Sequence, residues 1–141
     1  MTKGQAGQFQ PKREEGFWAK LWGMERHVIN TSRAPSAIGP YSQAVVAQGK
    51  FLFISGQIGM RPDGTMAGES VEDQTRQIIL NLRALLDAAG MDTGNLVKTT
   101  IYLRSMADFS MVNEIYGEMV GSEPPARATV EVSNLPKDAL V

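Results

Sequence analysis

Residues 70–90 carry the strongest periodic signal in the chain. Val71, Ile78, Ile79, Leu82, Leu85, Leu86 and Ala89 recur at helical spacing, and Glu72, Arg76 and Arg83 fall on the opposite side. Ser70 is suited to cap the N-terminus, with Asp73 three residues on in the capping-box position, and Gly90 supplies a stop. A helix with one apolar face has to lie on a sheet or on another helix. The flanking sequence is therefore expected to supply that surface.

It does so on both sides. The run "QAVVAQGKFLFISGQIG" reads as a hairpin with strands over about 43–48 and 50–56 and Gly49 in the turn. Before it, residues 30–45 are rich in turn formers, and Pro35, Gly39 and Pro40 predict an ordered loop. After it, Pro62, Asp63 and Gly64 predict a turn. Residues 95–105 favour a pleated sheet through Val97, Thr99, Thr100, Ile101, Tyr102 and Leu103. A second helix over 106–121 buries Phe109, Val112, Tyr116, Met119 and Val120 and ends at Gly121. "ARATVEVS" (126–133) is the last complete strand, with one more beginning at Ala139. The expected class is α+β in the order β-β-α-β-α-β, with both helices on one face of a mixed sheet.

Residues 1–23 stand apart as an N-terminal extension to a domain over 24–141. The segment is polar up to Gly16, which predicts an unstructured tail, and then Phe17, Trp18, Leu21 and Trp22 predict one side of a short apolar helix. That helix is expected to dock on its own domain, or else on a partner or a membrane surface, and the whole extension also reads as an added or mis-started segment with Met24 as an alternative start.

Composition excludes several chemistries. The chain of 141 residues has no cysteine, so disulfides, thiolate catalysis and thiolate-bound zinc are ruled out, and His27 is its single histidine. A net charge of −1 gives no sign of a general affinity for nucleic acid. No apolar run reaches the length of roughly 20 residues that a membrane span needs. With no secretory leader pattern, a cytoplasmic location is expected.

The chemistry that remains is sparse. Arg127 follows Pro124 and Pro125, which stiffen the backbone before it, and the strand after it anchors it. A guanidinium held in this way offers a planar fork to a carboxylate; without such a ligand it reads as a surface arginine at a strand end. Tyr41, after Gly39 and Pro40, is either a pocket wall or a loop ring packed on the domain. Gly56 in "ISGQIG" marks a close backbone approach or a bulge, and no phosphate-loop pattern surrounds it. Asn113 stands beside the buried stripe of the second helix, poised for a loop or a pocket. Thr129 alternates with Arg127 and shares its face, but has no base nearby in sequence. His27 reads as solvated or on an edge strand.

Taken together, "APSAIGPYSQAV", "LFISGQIG", "DQTRQIILNLRALLDAAG", "LVKTTIYL", "DFSMVNEIY" and "PPARATVEVSNLPKDAL" resemble the RidA (YjgF/Rid) family of enamine/imine deaminases from about residue 26 onward. The resemblance implies a chorismate-mutase-like fold, a homotrimer with sites in clefts between subunits, and hydrolysis of 2-aminoacrylate-type enamines and imines to 2-oxo acids and ammonium without metal or organic cofactor. By motif, Arg127 would hold the substrate carboxylate and Tyr41 would line the pocket. The backbone at Gly56 and the carbonyl of Thr129 would orient the nitrogen and the water, with Asn113 in support.

Two departures stand out. Thr129 occupies a position where many members have cysteine. Members also continue past "LPKDA" into a strand whose glutamate is the proposed proton donor, whereas this chain reaches only Val141. A final strand cut short would expose a sheet edge, which the apolar extension is expected to cover. Loss of that glutamate gives weight to a trimer that binds 2-oxo acids or amino acids without turning them over. An RNA-acting translation inhibitor is the third reading, disfavoured by the charge.

Overall fold

The structure, a computed structural model, describes residues 23–141. The short helix expected within 17–22, and its expected docking on a sheet edge, lie outside the described residues. Four strands and two helices follow in the order β1 (Glu25–Ile29), β2 (Ala44–Gln48), α1 (Val71–Ala88), β3 (Lys98–Leu103), α2 (Phe109–Val120) and β4 (Ala126–Glu131).

Helix α1 begins and ends as its sequence dictates. The Ser70 hydroxyl accepts the Asp73 backbone N–H at 3.0 Å and donates to the Asp73 carboxylate at 2.7 Å. At the other end Gly90, at φ +70°, donates its N–H to the Asp87 carbonyl while Met91 N–H reaches back to the Leu86 carbonyl, the paired bonds of a Schellman stop. The buried faces of α1 and α2 meet at Ile79, Ile115, Tyr116, Met119 and Val120, the core of the molecule.

The strands differ from expectation in their partners. β2 does not form a hairpin with residues 50–56. It pairs antiparallel with β1, with His27 opposite Val46 and Val28 opposite Val45. Gly49 reverses the chain at φ +117°, packed against Gly23 and Met24, and residues 50–56 then run without a ladder. β1 was missed because neither face of this five-residue strand is apolar: Glu25, His27 and Ile29 alternate with Arg26 and Val28, which leaves little signal. β3 and β4 pair in parallel, Thr99 opposite Arg127 and Ile101 opposite Thr129. The class is α+β as expected, and among the described residues the strands form two small sheets of two strands each, one antiparallel and one parallel. The strand expected from Ala139 is absent. The chain there turns through Lys137 and Asp138, both at positive φ, and buries Ala139 completely. Leu140 is then held by its N–H to the Gln74 side chain at 2.8 Å and by its carbonyl from Arg104 N–H at 3.0 Å.

Between the sheets lies a cavity of about 760 Å³, bordered by Phe51, Ile54, Ile79, Leu82, Ile101 and Tyr116. The halves are joined by polar staples across it. Arg26 in β1 donates through Nε to the Leu96 carbonyl at 2.8 Å and through Nη2 to the Glu123 carbonyl at 2.7 Å.

The close backbone approach expected at Gly56 occurs three residues later. A Cβ at Gly56 would meet nothing within 4 Å, whereas one at Gly59 would lie 2.5 Å from the Gln74 Cα on α1. Gly59→Ala is therefore expected to push the 58–60 loop off α1 and to cost about 1–3 kcal/mol of stability, read as a lower urea midpoint.

Candidate functional site

Helix α2 presents Phe109, Asn113 and Tyr116 at i, i+4 and i+7, one stripe facing β4. Arg127 rises from β4 into that stripe. Its guanidinium carbon lies 5.2 Å from the centre of the Tyr116 ring and 5.8 Å from that of Phe109, and Nη1 donates to the Asn113 side-chain carbonyl at 2.6 Å. Tyr41 adds a third ring at 5.3 Å. Guanidinium stacking on aromatic faces is worth about 0.5–2 kcal/mol per contact.

Tyr41 is brought there by a loop with its own anchors. Gln43 grips the loop from the inside: its Oε1 accepts Thr31 N–H at 2.6 Å and its Nε2 donates to the carbonyls of Thr31, Ala34 and Pro35. Ser42 fastens the far end to the two prolines, its hydroxyl to the Pro124 carbonyl and its N–H to the Pro125 carbonyl at 3.0 Å. Prolines cannot donate but their carbonyls accept, so the pair that stiffens the approach to Arg127 also docks the Tyr41 loop. The Tyr41 hydroxyl accepts Ile38 N–H at 3.3 Å. Gly39 packs beside the clamp, where a Cβ would make ordinary contact at 3.5 Å from Arg127 Nη2 and 3.6 Å from Asn113 Nδ2.

The electrostatics are unusual for an arginine this enclosed. No carboxylate lies within 4.0 Å of the guanidinium among the described residues. Burial lowers the Arg127 pKa, against the opposing influence of Tyr116 and Tyr41; an arginine is nonetheless a cation at neutral pH. Nε and Nη2 donate no hydrogen bond among the described residues, which leaves one edge of the fork available. Burial likewise raises the Tyr116 pKa, with the Thr99 hydrogen bond and the Arg127 charge pulling the other way.

Of the residues singled out in the sequence, Arg127, Tyr41 and Asn113 come together. Thr129 lies two positions along β4, and its hydroxyl is buried with no hydrogen-bond partner among the described residues. Gly56 stands elsewhere, on the border of the cavity between the sheets, which none of the other four touches. His27 is exposed on β1. Among the described residues no group of His, Asp and Glu is arranged to hold a metal ion, and no helix is long and apolar enough to cross a membrane. The sequence reading missed Phe109 and Tyr116 as site residues because it had placed them in the core. Their alignment with Asn113 on the helix was the available signal.

Known proteins share this architecture. The family described as Endoribonuclease L-PSP matches residues 31–141. A RutC family protein of Pyrococcus horikoshii is 50% identical over 117 residues, 82% of this chain and 92% of its own length. The human 2-iminobutanoate/2-iminopropanoate deaminase is 46% identical over 117 residues, 82% of this chain and 85% of its own. Among solved structures, a protein of unknown function of the conserved Rid family from Yersinia pestis superposes with a TM-score of 0.76 at 29% identity, over 82% of this chain and 92% of the other. With its fold shared and its sequence matched over more than two thirds, the chain belongs to the Endoribonuclease L-PSP family, the YjgF/RutC/Rid family that its motifs resemble.

Proposed function

We propose that this protein is an enamine/imine deaminase that hydrolyses 2-aminoacrylate-type intermediates to 2-oxo acids and ammonium, acting as a homotrimer. The observation that carries the reading is the Arg127 guanidinium, enclosed by three rings and Asn113 with no carboxylate beside it among the described residues. A half-buried cation without a counterion is a ready site for a small anion. The free Nε–Nη2 edge suits a carboxylate approached side-on, and such a charge-assisted bond contributes about 1.5–3 kcal/mol. The human relative is named for 2-iminobutanoate and 2-iminopropanoate, each an imine beside a carboxylate, which agrees with that anion.

The chemistry asks little more of the protein. The enamine takes up a proton at C3 and gives one up from nitrogen to become the imine, water adds across the C=N bond to give a carbinolamine, and its C–N bond breaks as the hydroxyl loses its proton and becomes the 2-oxo group, releasing ammonia that is protonated to ammonium. Imines hydrolyse in water unaided, so the gain comes from orientation, and holding two reactants in register supplies several kcal/mol. Arg127 fixes the acid end, and C2 lies one bond away. Tyr41 walls the near side. We assign the Thr129 carbonyl and hydroxyl, two residues along the strand from Arg127, to the nitrogen or the water. Gly56 contributes from the neighbouring subunit's side of the cleft or not at all, since within one chain it stands apart from Arg127. Solvent water carries the protons.

A ligand-binding protein without turnover would use the same clamp. An assay that follows loss of 2-aminoacrylate generated in situ, with pyruvate binding measured in parallel, separates the two: turnover supports the deaminase, and binding alone supports the other. RNA cleavage that survives loss of Arg127 would instead favour action on nucleic acid, for which a net charge of −1 offers little attraction.

Arg127→Ala is expected to lower kcat/KM by about tenfold or more; wild-type turnover in that variant would refute the assignment. Asn113→Asp is the sharper test. It sets a carboxylate 2.6 Å from Nη1, an internal counterion that competes with substrate, so KM should rise by about tenfold or more and further than in Asn113→Ala. Thr129→Val removes a hydroxyl that has no hydrogen-bond partner among the described residues. It should leave stability unchanged or raise it by about 1 kcal/mol in urea denaturation, while raising KM.

A further inference from the structure

Beneath the rings that enclose Arg127 lies a second layer of contacts. In the parallel β3–β4 pair, Thr99 stands directly opposite Arg127, and both side chains project toward α2. Tyr116 on α2 fills the space above them. Its ring lies 5.2 Å from the guanidinium carbon, and its hydroxyl meets Thr99 Oγ1 at 2.6 Å. Tyr116 is 5% exposed, so its hydroxyl needs a protein partner, and among the described residues Thr99 is the one it has. The ring is thus fixed at two points: its edge to the strand beside Arg127, and its backbone to the helix that also carries Asn113.

We infer that the Tyr116–Thr99 hydroxyl pair positions the Arg127 guanidinium for its anion, setting the tilt and depth of the ring on which it rests. The inference rests on the reading of Arg127 as a carboxylate clamp. Asn113 grips Nη1 from one side, and a fork held by a single hydrogen bond still swings about it. A ring pinned at its far end removes that freedom. The pair acts through Arg127, so its loss is read in binding of the acid group before it is read in the chemical step. Neighbouring sequence gives no alternative tether: Thr100 points to the opposite face of the strand, and Ile101 has no polar group.

The test uses Tyr116→Phe, Thr99→Val, Thr99→Ser and the Phe/Val double variant in the full chain, with pyruvate as the probe. Dissociation constants are measured by calorimetry, and KM and kcat with 2-aminoacrylate generated in situ. Loss of one neutral hydrogen bond should weaken pyruvate binding about fivefold in either Tyr116→Phe or Thr99→Val. The double variant should be at most about twofold weaker than either single one, because both remove the same bond. KM should follow the dissociation constant while kcat stays within about twofold. Thr99→Ser keeps the hydroxyl and should bind pyruvate as the wild type does. A residue with only a structural role would lower the urea midpoint without this split between KM and kcat.

Pyruvate binding within about twofold of wild type in both single variants would overturn the inference, as would additive losses in the double variant. Arg127→Ala tells the two readings apart. If it loses pyruvate binding while the hydroxyl variants keep it, the pair's role falls alone. If Arg127→Ala itself binds as the wild type does, the clamp reading falls and takes the pair with it. Should Tyr116→Phe fail to fold, Thr99→Val against Thr99→Ser decides the matter.

Discussion

The register of one parallel strand pair governs the rest of this molecule. Because β3 and β4 align with Thr99 opposite Arg127, a cation and a hydroxyl project side by side under the same helix. A slip of one residue would turn Arg127 to the other face and leave Tyr116 over an alanine. That register is secured from outside the ladder. Pro125 is fully buried, its carbonyl accepts Ser42 N–H, and Ala126 N–H donates to the Val97 carbonyl at 3.1 Å. The backbone entering β4 is therefore held at the residues just before the arginine.

The cation itself is stabilised without being neutralised. A nearby carboxylate would hold the side chain more firmly, but would occupy the fork. Aromatic faces attract the charge through their quadrupoles and leave the donors along one edge free. The amide of Asn113 does the same work with a dipole in place of a charge. On the proposed reading, the arrangement gives up some stability in exchange for affinity toward an anion, a trade that functional sites commonly make.

How much of this was legible depended on whether a feature is local. Helix α1 could be read in full, because its caps and stripe lie within one run of residues. Arg127 could be singled out because two prolines precede it, and Tyr41 because glycine and proline do. The pairing of β2 could not be read: a β2 strand can add a partner on either edge, and the distant β1 won over the adjacent residues 50–56. The same limit hid Thr99, whose importance comes from the residue opposite, 28 positions away in the ladder. Gly56 and Gly59 illustrate the converse. Both are small residues in one short motif, and only the packing of α1 tells which of them is pressed against a helix.

The two separate sheets have a mechanical consequence. A pair of strands is barely stable alone, so each half depends on the helices and on the polar staples across the gap. Tyr41 belongs to the half that contains β2, and Arg127 belongs to the half that contains β4. The ring and the guanidinium therefore face each other across the joint, and their contact reports how closely the halves are seated. Any sliding along that seam would part the ring from the guanidinium and, on the proposed reading, loosen the hold on an anion.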